Sequence, residues 1–349
     1  MKLTRARQRG VTLVEMMVSM TLGLIILSAL VAVYVGSRGA YRVNDNLARV
    51  QESGRFALEY LSQDLRMTSF AGCRSRNLSS EQDTLFNITA APALAFNGTN
   101  AIAGFENGTG WSNSSGVTRA AGDVLNVQHA SSQAVPLTAN VDFDARTLSL
   151  LNNSQRIRRD DTVLLANCER AMLFRVTNDP QPTAPGNHPT TLAFAASGNL
   201  PTLTVPPFSQ ASRAEVLRFN SVWYFVGQAP NGSRALYRTD GSQAEAIVDG
   251  VVDMDLLFAL DDSIPVDGVA DRYLPASAIK SSAPDEWSKV IGVRVSVLVA
   301  SAEDQLAAQP MTYALRDLDG DGQADTETAP DRRLYQVFTT TVALRNRVL

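Results

Sequence analysis

The sequence predicts an α+β protein: one long N-terminal α-helix laid on a mainly antiparallel β-sheet domain. Three observations predict it. An apolar run at residues 11–36 passes into an amphipathic stripe, with no proline before Pro92. From residue 123 onward, short apolar or alternating runs bounded by turn residues replace the helical spacing. The last of these, residues 334–345, is dense in β-branched and aromatic side chains.

The chain opens with Lys2, Arg5, Arg7 and Arg9 and no acid in the first ten residues. The formal net charge is −4, so the remainder after this +4 leader carries −8. An acidic remainder speaks against a nucleic-acid binder, which needs a basic stripe to neutralise phosphates. Residues 11–36 read VTLVEMMVSMTLGLIILSALVAVYVG, 26 residues with Glu15 as the one charged side chain. As a helix they extend about 39 Å at 1.5 Å per residue, enough to cross a ~30 Å hydrocarbon core with some tilt. The basic leader stays in the cytoplasm and the C-terminal part is exported. No comparable apolar run follows, so a single pass is expected.

Three readings of this segment compete. A secretory signal has a shorter apolar region, about 7–15 residues, followed by a small-x-small cleavage site. A plain anchor fits the length but gives no reason for Glu15. A carboxylate within a spanning helix costs about 3 kcal/mol on insertion scales and calls for a partner.

The string RGVTLVE, residues 9–15, resembles the type IV prepilin signal. The resemblance implies that a prepilin peptidase cuts between Gly10 and Val11 on the cytoplasmic face and methylates the new amino terminus. Val11 stands where phenylalanine is usual. Glu15 becomes the fifth residue of the mature chain, where the family's glutamate pairs with a neighbouring subunit's terminal amine. An ammonium relieves a carboxylate buried in lipid only when the two helices meet in register, so Glu15 is a registration device in this reading.

Val43, Leu47, Val50, Gly54, Ala57, Leu61 and Leu65 recur at intervals of three and four. Arg42, Arg49, Glu52, Arg55, Glu59 and Asp64 are expected largely off that stripe. One helix from residue 11 to about 67, roughly 85 Å long, is therefore predicted. Gly36, Ser37 and Gly39 suggest a local bend. The expected organisation is a leader at 1–10, a helix at 11–68 with 11–36 in the membrane, and an exported globular domain at 69–349.

Residues 74–121, rich in Asn, Gly, Ser and Ala, read as a loop-rich segment. Strands are predicted at 123–128, 147–151, 162–166 and 171–176. Prolines 180, 182, 185 and 189 exclude a regular element over residues 178–190. Residues 216–226 read as a hairpin turning at Asn220–Ser221. Val293, Val295, Val297 and Val299 alternate with Arg294, Ser296 and Leu298 in a further strand.

The run IVDGVVDMDLLFALD, a strand led by Trp287 and the closing RRLYQVFTTTVALRNR are similar to PilW-type minor pilins of the type IV pilus. The resemblance implies a pilin-like fold and no catalytic activity. It also implies a role in initiating pilus assembly near the tip, with links to adhesion and twitching motility. The partners it implies are prepilin peptidase, other minor pilins, the major pilin and a tip adhesin. The chain would sit in the inner membrane with its C-terminal domain in the periplasm, then in the pilus. No small-molecule substrate follows from it. A minor pseudopilin of a type II secretion system shares the signal, and a membrane-anchored periplasmic binding protein or hydrolase would use 11–36 only as a tether.

Two cysteines, Cys73 and Cys168, lie on the exported side. Such a pair is expected to form a disulfide; the alternative is two unrelated buried thiols. DLDGDGQADTET, residues 317–328, puts Asp317, Asp319, Asp321, Gln323 (through its carbonyl) and Asp325 at calcium-loop positions one, three, five, seven and nine. Thr328 replaces the bidentate glutamate at twelve, so the candidates are a weakened calcium site and an acidic solvated turn. No other cofactor is indicated. His129 and His188 are the only histidines, so no His-based metal site or Ser-His-Asp triad is indicated. Trp111, Trp223 and Trp287 are expected as core or edge aromatics.

Overall fold

The computed structural model describes residues 11–73, 85–90, 96, 101–167, 170–180, 189–201, 214–280, 286–317 and 323–347. Helix α1 runs from Leu13 to Met67, 55 residues. Thr12, in extended conformation, caps it by accepting the Glu15 amide hydrogen at 3.2 Å. Helical structure passes through Gly36 and Gly39 without a break, since no proline removes a donor there. The helix ends where Thr68 leaves helical geometry and Ser69 takes φ 64°.

Sixteen strands lie among the described residues. The first eight are β1 (Leu85–Asn87), β2 (Ile102–Phe105), β3 (Thr118–Pro136), β4 (Thr147–Leu150), β5 (Thr162–Ala166), β6 (Ala171–Arg175), β7 (Thr190–Ala193) and β8 (Glu215–Gln228). Then come β9 (Arg234–Thr239), β10 (Ala244–Asp249), β11 (Val251–Leu260), β12 (Arg272–Leu274), β13 (Val290–Ala300), β14 (Thr312–Ala314), β15 (Thr326–Thr328) and β16 (Tyr335–Ala343). The larger sheet has the order β1-β6-β5-β8-β3-β2, with β9 added on β8 and β10 on β9. The smaller sheet has the order β12-β11-β13-β16 and is antiparallel throughout. In the larger one, β1 and β6 are parallel. This is the α+β architecture predicted from the sequence.

Some readings need correction. Residues 216–226 form no hairpin. Strand β8 runs straight through, with Asn220 opposite His129 and Ser221 opposite Gln128 on β3. Its first half is flanked on the other side by β5 and its second half by β9. A tight turn here would need positive φ, which Asn-Ser supplies poorly, and it would break twelve β3 pairings. Residues 74–121 also hold more than loop: β2 pairs with β3, and a 3-10 turn spans Glu106–Gly108. Trp287 sits in a 3-10 turn, Glu286–Lys289, and its ring meets Phe258 edge-on as β13 begins. Within the Pro-rich stretch, residues 181–188, including His188, lie outside the described residues.

The buried stripe of α1 also differs. It comprises Asn46, Val50, Gly54, Ala57, Leu61, Ser62 and Leu65, while Leu47 is exposed. Full burial against the domain starts at residue 46, and the stripe turns with the 3.6-residue period from there. Val50, Ala57, Leu61 and Leu65 enter one core with Leu125 and Val127 of β3, Val222 and Tyr224 of β8, Leu256 of β11 and Val295 of β13. The helix thus covers the place where the two sheets meet. Each buried leucine contributes about 1.5–3 kcal/mol by removal from water.

The two sheets are joined at Gly122–Asp123 on β3. Gly122 has φ +71°, and a Cβ there would fall 2.6 Å from the Met254 carbonyl oxygen. That closeness lets the Asp123 carboxylate accept the Leu256 amide of β11 and the Asn107 amide, each at 2.9 Å.

Candidate functional site

The candidate functional surface is α1, in two halves. In the first half Val11 is 73% exposed, and Leu13, Val14, Met16, Ile25, Leu30 and Tyr34 are likewise bare. This is the one described helix long and apolar enough to cross a membrane, and none of its most apolar window is buried against the rest of the chain. Such a surface is unstable in water and calls for lipid or other helices around it.

Glu15 stands at the third helical position and is exposed, in the first turn where a negative charge complements the helix dipole. Ser19 donates its hydroxyl to the Glu15 carbonyl at 2.6 Å. Val11 lies just before the Thr12 cap, so an amino terminus created there would sit at the helix start. Gly10 lies outside the described residues.

In the second half, polar contacts supplement the apolar stripe. Tyr224 donates its hydroxyl to Asp64 at 2.5 Å, joining α1 to β8. Arg238 of β9 approaches the same carboxylate at 3.7 Å, and His129 Nε2 of β3 lies 3.8 Å away. Burial first, and the Asp64 charge second, push the Tyr224 hydroxyl above the usual phenol range, so it stays a donor. Arg42 pairs with Glu303 beyond the end of β13, and Asn346 donates to the Thr68 carbonyl at 3.0 Å. Both ends of the seated segment are therefore tied to the domain.

At Gly54, a Cβ would overlap the Phe338 ring of β16. The helix can approach the smaller sheet this closely because residue 54 has no side chain.

Asp64, read from the sequence as lying off the stripe, faces the sheet, and sequence reasoning missed its role. Its signal was weak: it lies three residues after Leu61 and next to Leu65, and Tyr224 and Arg238 are 160 and more residues away. The Asp123 joint was also missed, because nothing local marks it.

At the calcium-loop candidate, Asp317, Gln323 and Asp325 lie in the connection between β14 and β15, and Asp319 and Asp321 lie outside the described residues. The Asp325 amide donates to the Arg316 carbonyl at 2.7 Å, closing the base of that connection. Arg316 turns inward to Asp253 at 2.5 Å and Asp255 at 3.8 Å. Among the described residues no three His, Cys, Asp or Glu side chains are grouped to hold a metal ion. Cys73 is disulfide-bonded. Cys168 lies outside the described residues, but Gly72 neighbours Ala166, where the β5–β6 turn begins.

Residues 223–346 match the family model for Type IV Pilus-assembly protein W, PilW. Residues 5–31 match the Prokaryotic N-terminal methylation motif. The methylation-motif match covers the start of the bare half of α1, and the PilW match runs from within β8 through β16. No curated protein and no solved structure matches the chain.

Proposed function

For a chain that carries a PilW domain behind a prepilin-type methylation motif, we propose the work of a minor pilin that primes type IV pilus assembly near the tip. The observation that supports it best is the division of α1. A bare apolar half needs neighbouring helices, and a seated half is built into the domain that those neighbours would carry along. The PilW match favours the pilus over a type II secretion system.

In this reading prepilin peptidase cuts between Gly10 and Val11, and Val11 is the residue methylated. The helix then leaves the inner membrane laterally into a bundle with other minor pilins, the major pilin and a tip adhesin. Its globular domain lies in the periplasm until assembly carries it outward. Glu15 is exposed in the first turn, free of any helix of its own chain, and pairs with a neighbour's terminal amine. The carboxylate is relieved of its burial in lipid only at the correct axial step. The chemistry is packing and charge pairing, and the matched family is one of assembly proteins.

Two further features belong to the proposal. Cys73 pairs with Cys168 and ties the exit of α1 to the β5–β6 turn. The Asp317–Asp325 connection, with Asp319 and Asp321, takes calcium weakly, because Thr328 replaces the twelfth ligand. Its role there is to stiffen the link into β16, and chelation lowers thermal stability if it does so.

The test is Glu15→Ala in cells that make pili. The variant is expected in the membrane at normal level with surface pili lost. Normal piliation contradicts the registration role.

A further inference from the structure

Between β11 and β12 the chain reads DDSIPVDGVAD, residues 261–271. Its tip carries three large aliphatic side chains in water: Ile264 is 98% exposed, Val266 52% and Val269 61%. Beneath them the loop is tightly built. Asp261 is 2% exposed, and its carboxylate accepts the amides of Ser263, Asp267 and Gly268. Asp271 accepts the Asp262 amide and the Ser263 hydroxyl. Asp262 is held by Arg272 and by Lys289, and Arg272 also reaches Glu286.

The loop has a definite place. Leu260 pairs with Val290, and Gly292 with Ala343, just before Asn346 bonds the Thr68 carbonyl at the C-terminal end of α1. The Arg42–Glu303 pair marks the opposite end, toward the apolar half of the helix. The tip therefore stands at the end of the smaller sheet that points away from the membrane segment. From residue 36 to residue 67 the helix rises about 46 Å at 1.5 Å per residue, beyond reach of the bilayer that anchors the same chain.

We infer that Ile264, Val266 and Val269 form a preformed docking knob for another protein subunit of the assembly, whose matching surface is an apolar pocket rimmed by Lys or Arg. The acidic rim argues for that partner. Asp267 and Asp271 are exposed around the tip, while the nearby cations Arg272 and Lys289 are engaged by Asp262. The arrangement, an apolar centre ringed by charge, matches the apolar core and polar rim of protein interfaces. Because the carboxylates already fix the loop, docking carries little ordering penalty. A second copy of this chain would bring the same acidic rim against this one, and like charges disfavour that contact. The inference rests on the chain being a pilus component and goes beyond it by naming the contact face.

The test uses the full chain in cells that make pili. A photo-crosslinking amino acid replaces Ile264, and in a control strain it replaces Glu245, exposed on β10. The expected result is an adduct from position 264 with another pilus subunit, at least tenfold above the control, mapping to apolar residues flanked by Lys or Arg. No adduct above control, an adduct only with lipid, or an adduct only with a second copy overturns the inference. In parallel, Ile264→Asp is expected to leave the melting temperature and the mature N-terminus unchanged while surface pili fall at least tenfold. Normal piliation of that variant also overturns it, and leaves the reading of the chain as a pilin standing if Glu15→Ala still abolishes pili.

Discussion

Tyr224 on β8 donates its hydroxyl to Asp64 on α1 at 2.5 Å, a bond between residues 160 positions apart that ties the helix to the larger sheet. Arg238 of β9 approaches the same carboxylate and the His129 ring of β3 lies beside it, so this half-buried charge has a hydroxyl donor and a guanidinium from two neighbouring strands. The seated half of α1 therefore leaves the sheet only by exposing an apolar core and breaking a charge-assisted hydrogen bond.

Tyr224→Phe removes the donor and keeps the ring. It is expected to destabilise the domain by about 1–3 kcal/mol, because the Asp64 carboxylate loses its closest partner. Chemical denaturation of the full chain in detergent measures the change. A shift below a few tenths of a kcal/mol would mean that the bond is not coupled to folding.

Gly54→Ala tests the close approach at the smaller sheet. On helix propensity alone the change stabilises by up to about 1 kcal/mol. Here the new Cβ meets the Phe338 ring, and overpacking of about 1–3 kcal/mol outweighs that gain. Net destabilisation is expected. Adding Phe338→Leu should recover part of it, and additive effects in that double-mutant cycle would contradict direct contact.

The joint between the sheets sets a pH dependence. Burial raises the Asp123 carboxyl to about 6 and the Asp255 carboxyl to about 7, with the charge of Asp123 adding to the second. Glu106, Asp253 and Asp123 oppose ionisation of Asp255, while Arg316 favours it. The folded state thus holds protons that the unfolded chain has released. The contribution to stability is full below about pH 4 and is lost as pH rises through about 6 to 7. The denaturation midpoint should fall between pH 5 and pH 8. Asp255→Asn should flatten that fall and raise stability at pH 8, whereas an unchanged profile would show that Asp255 ionises normally.

Cys73→Ser tests the disulfide. If Cys73 pairs with Cys168 across 95 positions, the chain-entropy estimate gives about 4–5 kcal/mol of stability. Cys168→Ser should produce the same loss, and the two together no more than either alone. Unequal single effects or an additive double effect contradict the pairing.

Local patterns were legible in the sequence, and distant partnerships were not. Glu15 stands out because a lone carboxylate in 26 apolar residues has no local reason. The valines at 293, 295, 297 and 299 announce a strand by alternation alone, and they are buried in β13. Gly54 falls on the helical stripe, but its purpose appears only when Phe338 arrives from 284 positions later. Asn220–Ser221 looks like a turn in isolation; β3, β5 and β9 hold it straight through pairings that no window around residue 220 contains. Asp64 and Asp123 were hidden for the same reason. A carboxylate that bonds a distant hydroxyl or amide looks like any solvated acid in the sequence.

The proposed role requires that this chain matures at the Gly10–Val11 bond and enters a filament through the helix that begins there. Mass spectrometry of the chain isolated from membranes and from sheared pili tests it most directly. A mature species beginning at Val11 and carrying one methyl group on its amino terminus is expected. A species that still begins at Met1 in both fractions would contradict it.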